Sequence, residues 1–119
     1  MITVFATREG LVGDKTATGW RIDRTVPFVA LPSNAAVHLW VWVTNPANGK
    51  RVRALVLDVG PHYEHDTAYV FGGARPRAEA RGYDEYGRVV TNSAGIDLGE
   101  LVWKTLGYTD NGPCQWEFA

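Results

Sequence analysis

The stretch VRALVLDVGPH occupies residues 52–62. Its apolar run suits a buried strand, Asp58 ends that run, and Gly60-Pro61 then breaks the chain. An unpaired buried carboxylate takes up a proton unless hydrogen bonds compensate its charge. Asp58 therefore reads in two ways. It is an acid kept protonated for use, or a turn former ahead of Gly-Pro that accepts backbone N–H bonds. Just upstream, VHLWVWVTN (37–45) sets Val37, Leu39, Val41 and Val43 on one face and His38, Trp40, Trp42 and Thr44 on the other. NPANGK (45–50) supplies an Asn-Gly turn, so the two runs predict a hairpin.

Outward from the hairpin, ITVFAT (2–7) alternates and predicts a first strand, followed by the glycine-bearing loop REGLVGDKTATGW (8–20). TVPFVALPS (25–33) carries Pro27 and Pro32, which restrict it to a short or edge strand. From His62 to Gly95 the periodicity dissolves into a long excursion, read as a solvated loop with Arg75, Arg77 and Arg81. DLGELVWKTLGY (97–108) has helical spacing at Leu98, Leu101, Val102 and Leu106. Asp97 is expected as its N-cap, Glu100 at its third position and Gly107 as its stop. CQWEFA (114–119) predicts a last strand. Mostly short strands and one short helix favour a small closed barrel, with the whole chain, 1–119, as one domain.

Composition narrows the functional classes. A net charge of −1 with scattered Arg and Lys gives no electrostatic reason to expect nucleic acid or an anionic membrane as partner. Cys114 is alone, so no internal disulfide is available. Residues 1–10 lack the pattern of a signal peptide, and no apolar stretch approaches the ~20 residues that span a bilayer. HYEHD (62–66) brings His62, His65 and Asp66 close in sequence but supplies no defined fourth ligand, so neither metal nor cofactor is expected.

KTATGW (15–20), VALPS (29–33), VWVTNPANGKRVRALVLDVGP (41–61) and IDLGELVWKTLG (96–107), taken in order, resemble the double-psi β-barrel superfamily. They look most like the rare lipoprotein A domain, and LVLDVG also resembles the barrel of membrane-bound lytic transglycosylase A and the related 3D domains. The resemblance implies a six-stranded double-psi β-barrel with one short helix at about 98–106 and a long insertion at 62–95. It also implies cleavage of peptidoglycan glycan strands between N-acetylmuramic acid and N-acetylglucosamine. Carried over, the strand-end aspartate is Asp58 and the second aspartate is Asp97. One feature departs from rare lipoprotein A, whose histidine precedes the Leu-Pro pair; here TVPFVALP holds no histidine and Phe28 stands at or beside that site.

Cleaving a glycan needs a proton donor on the leaving oxygen. A lytic transglycosylase lets the muramic 6-hydroxyl close on C1, for which one acid/base suffices. Asp58 is expected as that acid/base, its apolar surroundings keeping it protonated, and Asp97 as its assistant. Thr16, Thr18, Trp20, His62, Tyr63 and Asn92 are the expected sugar contacts, with Tyr69 and Tyr83 as further groove-lining rings. Trp40 and Trp42 face outward, as a stacking platform or beneath the insertion; Trp103 and Trp116 read as core. The expected partner is a polysaccharide, peptidoglycan or another cell-wall glycan. The rival reading is a non-catalytic barrel that binds glycan as expansin-like domains do, or a structural module of a larger assembly such as a phage tail. Envelope, secreted or phage-associated locations fit these readings.

Overall fold

The computed structural model describes residues 1–119, and the hairpin is its organising piece. Its strands are β3 (Trp40–Thr44) and β4 (Arg51–Val59), paired antiparallel with Val43 opposite Val52. Around them stand β1 (Ile2–Arg8), β2 (Phe28–Leu31), β5 (Ala94–Leu98) and β6 (Gly112–Phe118), with helices α1 (Thr67–Val70) and α2 (Glu100–Thr105). The six strands close in the order β1-β5-β2-β4-β3-β6. β1 pairs parallel with β5 and β2 parallel with β4, and every other pairing is antiparallel. Closure leaves no strand edge exposed, so β2, bracketed by Pro27 and Pro32, lies inside the sheet between β5 and β4 rather than at an edge.

Alternation fills the barrel. Val4, Ala6, Val29, Leu31, Val41, Val43, Ala54, Val56, Ile96, Leu98, Cys114 and Trp116 all point inward and are buried. The Cys114 thiol is part of this packing, and burial pushes its pKa up to about 11. Inward alternation on β3 starts later than the sequence suggests. A 3-10 turn at Asn34–Ala36 and a left-handed His38 precede it, so Val37 is half-buried and Leu39 exposed.

Three further expectations are corrected. Asp97 is not a helix cap: it lies in β5, the N-cap is Gly99, and Glu100 is the first helical residue, bound by Arg8 at 2.8 Å. α2 buries Val102 and Trp103, with Leu106 at its C-cap, while Leu98 belongs to the preceding strand. Gly99 is required by close approach, because a Cβ there would overlap the Phe28 ring. The insertion is not a solvated loop. It contains α1 and a 3-10 turn at Arg77–Ala80, and its last two residues start β5. Tyr69 and Val70 join the barrel core, while Tyr63, Ala78 and Val90 form a cluster of their own. There are thus two α-helices rather than one. No helix is long and apolar enough to cross a membrane.

Candidate functional site

Topology brings the acids together. Ala30 of β2 is the register partner of Asp58 on one side and of Asp97 on the other. A methyl side chain between them lets the carboxylates share one rim of the barrel. The parallel β1–β5 pair then sets Thr7 opposite Asp97, and Glu9 follows two residues later. Asp58 of β4, Asp97 of β5 and Glu9 just past the end of β1 thus converge, three carboxyls where the sequence predicts two.

Their surroundings differ. Asp97 is half-buried, accepts a short hydrogen bond from the Thr7 hydroxyl, and lies against the backbone of Gly60. Burial pushes its pKa up to about 6; the Thr7 bond and nearby His62 oppose the rise, and the Asp58 charge adds to it. Glu9 is pushed further, to about 9. Burial is the main cause, followed by its hydrogen bond to Asp58 and repulsion from Asp58 and Asp97. Oε2 of Glu9 is buried without a hydrogen-bond partner. A neutral Glu9 that donates its proton to Asp58 suits both facts. The acid whose ionisation burial opposes most is therefore Glu9, which the sequence places in a loop.

Asp58 is half-exposed. Its Oδ1 accepts the N–H groups of Ala17 and Val59, each at 2.8 Å, which is the backbone-bonding role open to an aspartate before Gly-Pro. The Ala17 bond ties the KTATGW loop over the end of β4. Thr18, exposed, donates to the Leu57 carbonyl at 3.0 Å, and Thr16, nearly buried, shares a hydrogen bond with it. Trp20 is half-buried, set edge-on to Phe28 with 4.9 Å between ring centroids. Its remaining surface flanks the rim.

His62 sits just past Gly60 with a left-handed backbone at φ 66°, uncommon for a residue with a side chain. Asn92 Oδ1 accepts the Ala94 N–H at 2.9 Å, so the same oxygen accepts from His62 Nε2 at 3.1 Å. Both residues border the carboxyls. Tyr63 does not: it is 3% exposed, its hydroxyl donates to the Tyr83 carbonyl, and the Arg77 guanidinium covers its ring. Its apolar ring is needed under the insertion, which corrects its expected role as a sugar contact. Tyr69 is likewise core. Arg75 is held by Glu79 and the Thr3 carbonyl, leaving Arg81 in solvent. His65 binds Glu85, and Asp66 accepts the Arg77 N–H, so the members of HYEHD turn to separate partners.

Thr7 and Glu9 are the residues that sequence reasoning missed. The available signal was period two continuing past the first strand, which carries Thr7 and Glu9 on one face. None of the three cavities in the structure is lined by Glu9, Asp58 or Asp97; one of about 390 Å³ lies against Tyr69, Phe71, Trp116 and Phe118. The three carboxyls line no enclosed cavity, and each is partly exposed.

One family profile matches residues 1–116. The chain belongs to the family described as Domain of unknown function (DUF8814). A search of curated proteins finds no match. Among solved structures, the chain is similar to an aspartate-to-asparagine mutant of Clavibacter michiganensis expansin in complex with cellohexaose. The two share 19% identity with a TM-score of 0.55, over 99% of this chain and 50% of that one. The chain spans about half the length of the expansins it matches. Streptomyces papain inhibitor is similar at 17% identity and TM-score 0.51, covering 97% of this chain and 92% of that one. Cerato-platanin 3 from M. perniciosa is similar at 9% identity and TM-score 0.56, covering 99% and 94%. At such identities the likeness speaks for the fold, a double-psi β-barrel.

Proposed function

We propose that this barrel binds a cell-wall polysaccharide along its carboxyl rim. Asp58, Asp97 and Glu9 meet sugar hydroxyls there, with Thr18, Trp20, His62 and Asn92 at the borders and Thr16 holding the loop. The observation that carries the reading is the convergence of three partly exposed carboxyls at one rim of the barrel. A similar barrel occurs in an expansin complexed with cellohexaose. The single proton of neutral Glu9 is held toward Asp58, and the aspartate oxygens left free accept from sugar hydroxyls. The reading takes residues 1–119 as one domain and carries a location where such polymers are met: the envelope, the exterior, or a phage particle.

The test is co-sedimentation with insoluble cellulose and with peptidoglycan sacculi, comparing the native chain with Asp58→Asn and Asp97→Asn. Retention of the native chain on one polymer, reduced about tenfold in the variants, is expected from losing charge-assisted hydrogen bonds. Equal retention of all three would remove the rim from the account.

One observation favours a second reading, the cleavage of glycan strands. Asp97, pushed up to about 6, exchanges its proton close to neutral pH, as an acid/base for a glycosidic oxygen must. In that case Asp97 or Asp58 protonates the leaving oxygen as its bond to C1 breaks, the muramic 6-hydroxyl oxygen closes on C1, and the proton it loses returns to the same carboxylate. Sacculi digested by the native chain would release 1,6-anhydro muropeptides, and Asp97→Asn would not. Absence of released products from the native chain leaves binding as the function.

A further inference from the structure

A second surface runs down the outside of β3 and β4. Val41 and Val43 point into the barrel, so Trp40 and Trp42 point out, Trp40 being 40% exposed. The insertion does not cover them. Arg53 lies over the Trp40 ring at 4.6 Å and Arg51 over the Trp42 ring at 4.1 Å, while Arg53 is also the register partner of Trp42. The four side chains form an alternating ladder of indoles and guanidiniums. Stacking fixes a guanidinium by its face and leaves its N–H edges free for an anion. Arg51 shares its charge with Glu117 at 3.1 Å, whereas Arg53 is exposed and has no carboxylate partner. The charged groups at the outward positions here are thus two cations and one anion.

The ladder shares strand β4 with the carboxyl rim. Beyond Arg51 and Arg53, β4 carries Leu55, opposite Trp40 and packed in the same cluster as Trp20, and then Asp58 one residue before its end. Asp58 lies five positions along the strand from Arg53, about 17 Å at the rise of a β-strand, so the two surfaces are separate contacts.

We infer that the Trp40–Arg53–Trp42–Arg51 ladder is a binding surface for an anionic polysaccharide, one bearing carboxylate or phosphate groups on its sugars. The charge argument is independent of the rim; the choice of a glycan among anionic polymers rests on the polysaccharide reading above. The unpaired guanidinium selects the anion, and the exposed indole supplies apolar contact for sugar C–H faces. A neutral glycan has nothing to offer Arg53.

Affinity electrophoresis of the full chain tests this. Gels contain polygalacturonate for carboxylate, a teichoic-acid polymer for phosphate, or hydroxyethyl cellulose as the neutral control. Expected is retardation by at least one anionic polymer, weakened about tenfold in Arg53→Gln and relieved by salt. Arg53→Lys, which keeps charge but not the planar stack, should fall between, and thermal melts of both variants confirm folding. Asp58→Asn should leave this retardation in place while affecting any binding of the neutral polymer, so loss of the rim reading and loss of the ladder reading give different patterns. Equal retardation of the native chain and Arg53→Gln would overturn the inference, as would retardation by polyglutamate or DNA with none by either anionic glycan.

Discussion

The Tyr69–Trp116 pair inside the barrel and Glu9 at its rim both bury polar groups, and they treat them in opposite ways. Inside, the Tyr69 hydroxyl donates to the Gly95 carbonyl at 2.8 Å and accepts from the Trp116 indole at 2.7 Å. Every polar atom of that pair is matched, and the rings meet edge to face. At the rim, Glu9 keeps one buried oxygen without a partner and is crowded by two other carboxyls. Matched burial stabilises a fold, whereas unmatched burial costs stability and survives where a surface is used. The Tyr69–Trp116 match thus adds to the stability of the barrel, and the burial of Glu9 subtracts from it.

Four substitutions probe that contrast, two at Tyr69 and two at the rim. Tyr69→Ala removes a fully buried ring and strands two polar groups, and it should destabilise by about 4 kcal/mol. Tyr69→Phe, which strands the polar groups alone, should cost about 2 kcal/mol. Urea denaturation measures both; a negligible change in Tyr69→Phe would show that the interior match contributes nothing.

At the rim the sign reverses. Glu9 ionises at about 9 in the folded chain against an ordinary 4.5. Between those values the folded state keeps a proton that the unfolded state has lost, so stability falls as pH rises through this window. Gln mimics the neutral acid. Glu9→Gln should therefore melt together with the native chain near pH 4 and several degrees above it at pH 8. Parallel melting curves across that range would mean that Glu9 carries no such strain. Asp97→Asn should act in the same direction over a narrower range, since its pKa rises from 3.8 to about 6. Its gain is complete just above pH 6, and it comes with weakened binding.

Legibility in the sequence follows the same division. The hairpin was readable because alternation and an Asn-Gly turn are local signals, and the inward valines Val41 and Val43 sit where period two puts them. The closed barrel was readable from the many short strands, and its double-psi form from the ordered resemblance of several motifs, since nothing local reports that β1 lies beside β5 or β2 beside β4. β5 was hidden because AGIDL runs straight into a helix, and Leu98 fits the helical spacing as well as the strand. Tyr69 looked like a loop tyrosine because its burial depends on a distant partner, Trp116. The two aspartates were visible as strand-end acids. Glu9 was not, since its meaning comes from a parallel neighbour ninety residues away.

Carbon-13 NMR titration of the side-chain carboxyls, between pH 3 and pH 10, addresses the rim most directly. Two late transitions are expected, Glu9 near 9 and Asp97 near 6. If both residues instead ionise around pH 4 with the surface acids, the rim holds no stored protons and the contrast with the interior disappears.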